Sequence, residues 1–308
     1  MILYKSNDNW FGDMSHLFRS WTMTKIFRSV IGIGVYAAAF VWVVETYQWH
    51  DYLVMDTMMF SLLGVILSIF LGFRTNTAYD RWWEARKQWG ALVNNTRNMA
   101  IYVDSMWPAE DDGIRRFMAR HIANFCIALA EHLRQGTDLD QLVGVSPEER
   151  AYYETKDHIP NFIALRIYQR MAEAHRRGDI NEGDYINIKA QHQSLLDILG
   201  ACERIKKTPI PFSYAVYLKI FITAYGVLLP LGLESSFGWT TVPLTMLVFF
   251  ALLGVELMGE EIEDPFGLDC NDLPTSSIAQ TIRRNVFEIL EDRTPAPEDP
   301  RELYTKIF

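Results

Sequence analysis

The sequence of residues 70–90, FLGFRTNTAYDRWWEARKQWG, joins two segments of opposite character. Its first four residues end an apolar run, whereas the rest carries arginines, acidic residues and three tryptophans. Because no proline or turn cluster separates the two segments, the pattern predicts one continuous helix. Residues 70–73 then mark one of two things. They end the buried part of a core helix, or they are the point where a helix leaves a lipid bilayer and continues into water.

The composition favours a chain that combines segments for lipid with segments for water. Hydrophobic residues make up 49% and charged residues 22%, and the mean hydropathy is -0.01. The net charge of -9 argues against binding of nucleic acid, because such proteins carry basic surfaces. The opening residues lack the pattern of a cleaved signal peptide, so none is expected. Cys126, Cys202 and Cys270 are far apart, which indicates neither a disulfide framework nor a zinc site.

Four apolar segments approach the length of about 20 residues that a bilayer-spanning helix needs. They are 26–44, 57–73, 212–233 and 237–258. Lysine and arginine precede the first and third segments and follow the second, whereas the two intervening short connections contain neither. The positive-inside rule therefore predicts cytoplasmic termini and a cytoplasmic middle. Four buried helices of a soluble protein would give no reason for this sorting of charges.

The remaining segments have helical periodicity, and no long stretch alternates with a period of two residues. We therefore predict an all-α chain, with helices at 113–136, 161–178, 184–205 and after 275, and with a loop and a short helix within 138–160. The predicted division is 1–90 for an N-terminal helix and two membrane helices, 91–211 for a cytoplasmic region, 212–258 for two further membrane helices, and 259–308 for an acidic turn, a helix and a tail.

Two groups of residues suggest metal sites. Five histidines in the middle of the chain lie on different segments or far apart on one, so solvated or capping roles are favoured over metal binding. The motifs of common catalytic sites are absent, and no enzyme is predicted.

The stretch 259–274, GEEIEDPFGLDCNDLP, offers oxygen ligands of the kind that calcium prefers. For this stretch we favour an ordinary helix end and a turn over a calcium site, with Asp272 as the cap of the next helix. The histidines are His121, His132, His158, His175 and His192, and the acids are Glu260, Glu261, Glu263, Asp264, Asp269 and Asp272.

Four features in order resemble the bestrophin ion-channel family, especially its bacterial members. They are an aromatic N-terminal helix, FLGFRTNTAYDRWWEARKQWG, CERIKKTPIPFSY and IEDPFGLDCNDLP. The resemblance spans about residues 10–290. It implies a homopentamer around one central pore, with four transmembrane helices and a cytoplasmic helical region in each subunit. It also implies a bacterial inner-membrane location, with membrane lipid and permeating monovalent ions as partners.

The resemblance further implies two constrictions. It places a hydrophobic neck on the second membrane helix at Val65, Ile69 and Phe73, although periodicity alone does not choose this line over Leu62, Ile66 and Phe70. It places a cytoplasmic aperture at the start of the helix before CERI. Counting back from Cys202 gives Ile186, counting back from Pro211 gives Gly183, and a slip in register would give Ile180.

Animal bestrophins, which the acidic stretch resembles, use these acids as a calcium clasp. Asp269 and Asp272 match two of its positions, but Cys270 and Asn271 replace further acids. We therefore expect no required cofactor, with calcium at Asp269 and Asp272 as the alternative. Animal channels pass anions and bacterial relatives are associated with monovalent cations. The charge of -9 favours sodium and potassium. The other candidates are a calcium-dependent chloride channel, a non-conducting membrane scaffold and a metal-dependent membrane enzyme.

Overall fold

The computed structural model describes residues 21–49, 56–107, 112–134, 136–269 and 271–290. Over these residues the chain forms helices and turns without strands, which confirms the all-helical prediction. The predicted aromatic N-terminal helix, Cys270 and the tail 291–308 lie outside the described residues. The helices are α1 (Trp21–Tyr47), α2 (Thr57–Met106), α3 (Asp112–His132), α4 (Pro147–Glu154), α5 (Ile159–Arg177), α6 (Glu182–Lys207), α7 (Phe212–Phe237), α8 (Thr241–Glu263) and α9 (Thr275–Ile289).

The described residues divide into two compact units. The first unit, residues 21–81 and 209–264, holds α1, the beginning of α2, α7 and α8. The second unit, residues 82–208 and 265–290, holds the rest of α2 together with α3–α6 and α9. The predicted span 57–73 is thus only the beginning of a helix that continues to Met106.

Three stretches of the described residues are long and apolar enough to cross a membrane: Thr22–Tyr47, Thr57–Met106 and Phe212–Glu263. The third stretch contains both α7 and α8. A turn at Gly238, whose φ is 48°, separates these helices, and they pack against each other. Glycine suits this left-handed backbone because it has no Cβ.

Buried residues of α2 recur at steps of three and four residues, or of seven where one position is skipped, and we call this face the buried seam. This spacing places residues along one face of a helix, as in coiled coils. Two polar side chains, Arg74 and Thr96, occupy the seam beside apolar ones. The seam consists of Phe60, Leu67, Leu71, Arg74 and Ala78 in the first unit and Ala85, Trp89, Leu92, Thr96 and Met99 in the second.

In the first unit, glycines let aromatic rings approach the backbone of α7. A Cβ on Gly232 would lie 2.3 Å from Phe60 Cδ2, and a Cβ on Gly226 would lie 2.5 Å from Phe249 Cδ2. Tyr225 Oη donates to the backbone oxygen of Phe60 at 3.1 Å. Small residues at such crossings are typical of membrane helices, whose association depends on close packing.

The second unit has its own core around α3, against which α5 and α9 pack. The short helix α4 lies within the stretch predicted as a loop with a short helix, and a capping box of Ser146 and Glu149 begins it. Helix α5 ends at Gly178, whose φ of 81° suits a helix C-terminus. His192 of α6 is buried, and its Nε2 lies 2.8 Å from the backbone oxygen of Ala164 on α5.

We expect His192 to make the stability of the protein depend on pH. Burial lowers the pKa of His192, and its hydrogen bond to Ala164 only partly offsets this effect. Below the ordinary histidine pKa of about 6.5, the unfolded chain therefore takes up a proton that the folded chain refuses. This contribution to stability is complete above that pH and is lost as the pH falls towards the lower folded pKa.

Replacing His192 with glutamine (His192→Gln) keeps a donor for Ala164 and removes the titrating group. Melting temperatures from circular dichroism between pH 7.5 and 5 are expected to fall less steeply for this variant than for the parent. His175→Gln is the matched control, because the His175 side chain is 31% exposed. Equal slopes for the parent and His192→Gln would contradict the assignment.

Candidate pore site

Val65, Ile69 and Phe73 form an exposed apolar line on α2. Their exposed fractions are 58%, 54% and 62%. At about 100° per residue, Ile69 points about 180° away from Phe60, so the line lies opposite the buried seam. In a single chain these large apolar side chains are available to face lipid, a pore or another copy.

The rival line of Leu62, Ile66 and Phe70 is less open. Leu62 is 63% exposed, but Ile66 and Phe70 are each 37% exposed. The backbone oxygen of Phe70 also accepts a hydrogen bond from Tyr214 Oη of α7 at 3.1 Å. The two lines that periodicity leaves equivalent therefore differ in the folded chain.

A groove of about 490 Å³ lies beside the apolar line in the first unit. Three small residues of α2, Ser61, Gly64 and Ser68, open it towards Tyr225 of α7 and towards α8. Val65 and Ile69 also border this groove. Val65 and Ile69 thus border both open space and a recess between helices.

The exposed side of α2 changes character after Phe73. Asn76, Thr77 and Asp80 are all exposed. The hydroxyl of Thr77 donates to the backbone oxygen of Phe73 at 2.9 Å, which satisfies it within the helix. A path along this side of α2 would therefore pass from apolar to polar side chains within one or two helical turns.

Arg74 is buried, with only 1% of its side chain exposed. Its Nη2 lies 2.6 Å from Glu263 Oε2 and its Nε lies 3.9 Å from Glu256 Oε2, both on α8. The first basic residue after the second apolar segment therefore has its charge paired inside the unit. Arg74 follows Leu67 and Leu71 in the buried seam, so the helix turns its side chain towards α8.

Glu263 is the centre of a small network, which we call the Arg74 clasp. Its Oε1 accepts from the backbone N–H of Ile210 at 2.8 Å, just before α7 begins. Its backbone oxygen accepts from Arg81 Nε at 3.1 Å. One residue at the end of α8 thus holds α2 at two arginines and also holds the entry to α7.

Sequence reasoning missed the acidic partners of Arg74, although the sequence contained a relevant feature. Ionisable residues within apolar spans usually pair with one another, and Arg74 and Glu256 both lie at the ends of such spans. Lys219 follows the same rule. Its Nζ lies 2.8 Å from Glu260 Oε1, so its charge is paired with a carboxylate.

Hydrogen bonds within the acidic turn after α8 hold the turn together. The carboxylate of buried Asp272 accepts from the backbone N–H of Asp269, and Leu273 N–H donates to the backbone oxygen of Pro265 at 2.9 Å. Asp272 therefore closes the turn and does not cap α9 as expected, since that helix begins after Pro274 without a side-chain cap. The indole of Trp82 donates to the backbone oxygen of Asn271 at 3.0 Å.

The three candidates for a cytoplasmic aperture lie near the start of α6. Ile186 is 58% exposed, Gly183 lies in the first turn of the helix, and Ile180 is buried in the core of the second unit. Asn181 caps the helix by accepting from the backbone N–H of Asp184. Of the three candidates, Ile186 presents the accessible aliphatic side chain.

The folded chain brings two of the dispersed histidines together. His132 and His158 both direct Nε2 at Glu203 Oε1, at 2.7 and 2.9 Å. His158 also caps α5, as the capping interpretation predicts. The other histidines have separate partners, since His121 lies beside Glu149 and His175 beside Glu182.

This arrangement defines an all-helical protein with a membrane-type apolar unit and a long helix that presents an apolar line. The family model described as Bacterial/Fungal Bestrophin protein matches residues 1–288. The chain belongs to the bestrophin family.

Relatives and solved structures agree with this membership. A voltage-dependent anion channel-forming protein of Mesorhizobium japonicum is 34% identical over 297 residues, covering 94% of this chain and 92% of its own. A voltage-dependent anion channel-forming protein of Nostoc is 36% identical over 235 residues, covering 73% of this chain and 75% of its own. A crystal structure of a bacterial bestrophin homologue from Klebsiella pneumoniae has a TM-score of 0.79 at 29% identity, covering 88% of this chain and 99% of that one. These names indicate channels rather than enzymes, and they name anions where we predicted cations.

Replacing Arg74 with alanine (Arg74→Ala) is expected to lower the free energy of unfolding by about 3–5 kcal/mol, because it leaves buried Glu256 and partly buried Glu263 without their counter-charge. Unfolding of the detergent-solubilised protein, followed by circular dichroism, measures the loss.

Arg204→Ala is the matched control. Arg204 Nη2 lies 2.8 Å from Glu84 Oε1, but the arginine side chain is 65% exposed. An exposed pair of this kind contributes at most about 1 kcal/mol. Equal losses for the two variants would show that the Arg74 clasp is not a main support of the fold.

Proposed function

We propose that this chain forms a homopentameric ion channel of a bacterial inner membrane, with α2 of each subunit around one pore. The observation that carries the proposal is the exposed apolar line of Val65, Ile69 and Phe73 opposite the buried seam. Five such lines facing an axis would make a hydrophobic neck. The rival line is a weaker candidate, because Ile66 and Phe70 are already partly covered within one chain.

Four helices, α1, α2, α7 and α8, cross the membrane in this proposal. Helices α7 and α8 have 26 and 23 residues, each enough for a crossing of about 20 residues, and a turn separates them. An even number of crossings puts both ends of the chain on one side. The basic flanks support a cytoplasmic location for that side.

The neck would act as a gate rather than as a selectivity filter. Apolar side chains offer an ion no ligands in exchange for its water, and a narrow apolar ring can close by losing its water. Selectivity then depends on polar or charged groups elsewhere in the channel. Ile186 is the proposed cytoplasmic aperture, since its side chain is exposed near the start of α6.

We propose monovalent cations, sodium and potassium, as the permeating ions. The support is the net charge of -9 per chain, which five copies would multiply and which attracts cations to a vestibule. Calcium at Asp269 and Asp272 is not required in this proposal, because the Asp272 carboxylate already closes the turn. Anion permeation is the second candidate, because the names of the relatives favour it.

Shortening the neck side chains is expected to raise conductance or open probability. Ile69→Ala and Phe73→Ala remove apolar bulk from the proposed ring and make it easier to wet. Single-channel recording from protein reconstituted in planar bilayers measures both quantities. Ile66→Ala is the matched control on the rival line and is expected to conduct like the parent.

If Ile69→Ala and Phe73→Ala conduct like the parent, the assigned pore face is wrong. A larger effect of Ile66→Ala would move the pore to the rival line. Particle images without a five-fold axis, or with another helix innermost, would overturn the ring itself. A protein that gives no flux in proteoliposomes would instead be a scaffold.

Reversal potentials in a sodium chloride gradient decide between the two kinds of ion. The proposal expects a reversal potential displaced towards the sodium equilibrium potential, because the acidic chain concentrates cations. Exchange of sodium for a large organic cation should then abolish the inward current. A displacement towards the chloride equilibrium potential would establish the anion channel that the relatives' names describe.

A further inference from the structure

A concentrated group of potential metal ligands in the described residues belongs to the second unit, whereas the proposed neck residues belong to the first. His132 Nε2, His158 Nε2 and a carboxylate oxygen of Glu203 all lie within 4.8 Å of one another. His132 is the last residue of α3, His158 precedes α5, and Glu203 lies in the final turns of α6. We propose that these three side chains bind a divalent transition-metal ion of the zinc class.

The ligand atoms are arranged close to the geometry of a bound ion. Tetrahedral zinc bonds of about 2.0–2.1 Å imply ligand atoms about 3.3 Å apart. Both histidine Nε2 atoms already lie 2.7 and 2.9 Å from the same Glu203 oxygen. Because an ion replaces the two bridging protons, each distance needs to widen by only about half an ångström.

The positions of the ligands are supported by contacts other than those with the Glu203 oxygen. Lys206 Nζ donates to the backbone oxygens of Leu133 and Arg134, which holds the end of α3 against α6. The rings of His132 and His158 pack with their centroids 4.3 Å apart. Three helix ends thus present their ligands before any ion arrives, which reduces the ordering needed on binding.

The chemistry of the ligands selects the kind of ion. Two imidazoles and one carboxylate suit zinc and similar transition metals, whereas calcium and magnesium prefer oxygen ligands alone. The exposed fractions of the three side chains are 22%, 27% and 21% for His132, His158 and Glu203. Solvent therefore reaches the cluster and can supply water as a fourth ligand.

The Glu203 oxygen that both histidines contact also has a lysine neighbour. Lys207 Nζ lies 3.6 Å from the same oxygen and competes with an ion. Its side chain is 70% exposed, so it can turn into solvent when the ion binds.

His158 has to change its tautomer to bind through Nε2. Its Nδ1 accepts from the backbone N–H of Asn161 at 3.4 Å, and a metal at Nε2 would place the proton on Nδ1 instead. The Asn161 N–H also donates to the backbone oxygen of His158 at 3.1 Å. This second contact keeps the amide of α5 paired, so the change leaves no orphaned donor.

Zinc titration of the full-length, metal-stripped protein tests the site. The protein is kept in detergent with any affinity tag removed, and calorimetry and thermal melting follow the binding of zinc chloride. We expect one saturable site per chain and a melting temperature that rises with zinc concentration, because the ion binds the folded chain. Magnesium and calcium chloride are expected to have no such effect.

Three variants remove one ligand each. His132→Ala, His158→Asn and Glu203→Gln are each expected to weaken zinc binding at least about tenfold, since even loss of outer-shell partners costs about that much. Asparagine at position 158 can still cap α5, so this variant separates the ligand role from the capping role. His175→Ala removes a histidine outside the cluster and is expected to bind zinc like the parent.

Several results would overturn the site. Zinc affinities of the three variants equal to that of the parent would place any bound zinc elsewhere. A parent melting temperature that does not change with zinc concentration would show that the cluster binds no zinc. If His132→Ala does not fold, as judged by size-exclusion chromatography, the binding data of His158→Asn and Glu203→Gln decide the question.

Discussion

The buried charge of Arg74 is the constraint on which the apolar unit depends. A guanidinium in the seam of α2 requires a carboxylate, and Glu263 at the end of α8 provides it at 2.6 Å. The same glutamate holds the backbone before α7, so one residue joins the end of α8 to the interior of α2 and to the entry of α7. Because an unpaired buried charge is costly, these helices have one strongly preferred arrangement at this end of the unit.

The seam also determines which side of α2 is left for function. Its spacing of three and four residues assigns Phe60, Leu67 and Leu71 to the interior of the unit and leaves the opposite side uncovered. The large apolar side chains on that side remain more than half exposed in the single chain. Val65, Ile69 and Phe73 are therefore explained best by surroundings outside that chain, which the proposed ring supplies.

The apolar segments and their basic flanks were enough to predict an all-helical chain with membrane-type segments, because hydrophobic burial depends on local patterns. Pairing across the chain was not predictable in this way. Arg74 and Glu263 are separated by 189 residues, and His132 meets Glu203 across 71 residues. The histidines are far apart along the sequence, which gave no sign of a cluster. The fold of the second unit nevertheless brings two of them together. The preference between the two lines of α2 likewise rests on the exposed fractions of Ile66 and Phe70, which depend on the folded chain.

The order of the helices has a consequence during synthesis. The early helices find their partners at the far end of the chain, as Phe27 packs beside Phe250 and Arg74 pairs with Glu263. A ribosome adds about 5–20 residues per second, so roughly 10–40 s separate the two members of the ion pair. During this interval α2 carries a positive charge whose native carboxylate does not yet exist, so the native fold cannot yet shelter this charge.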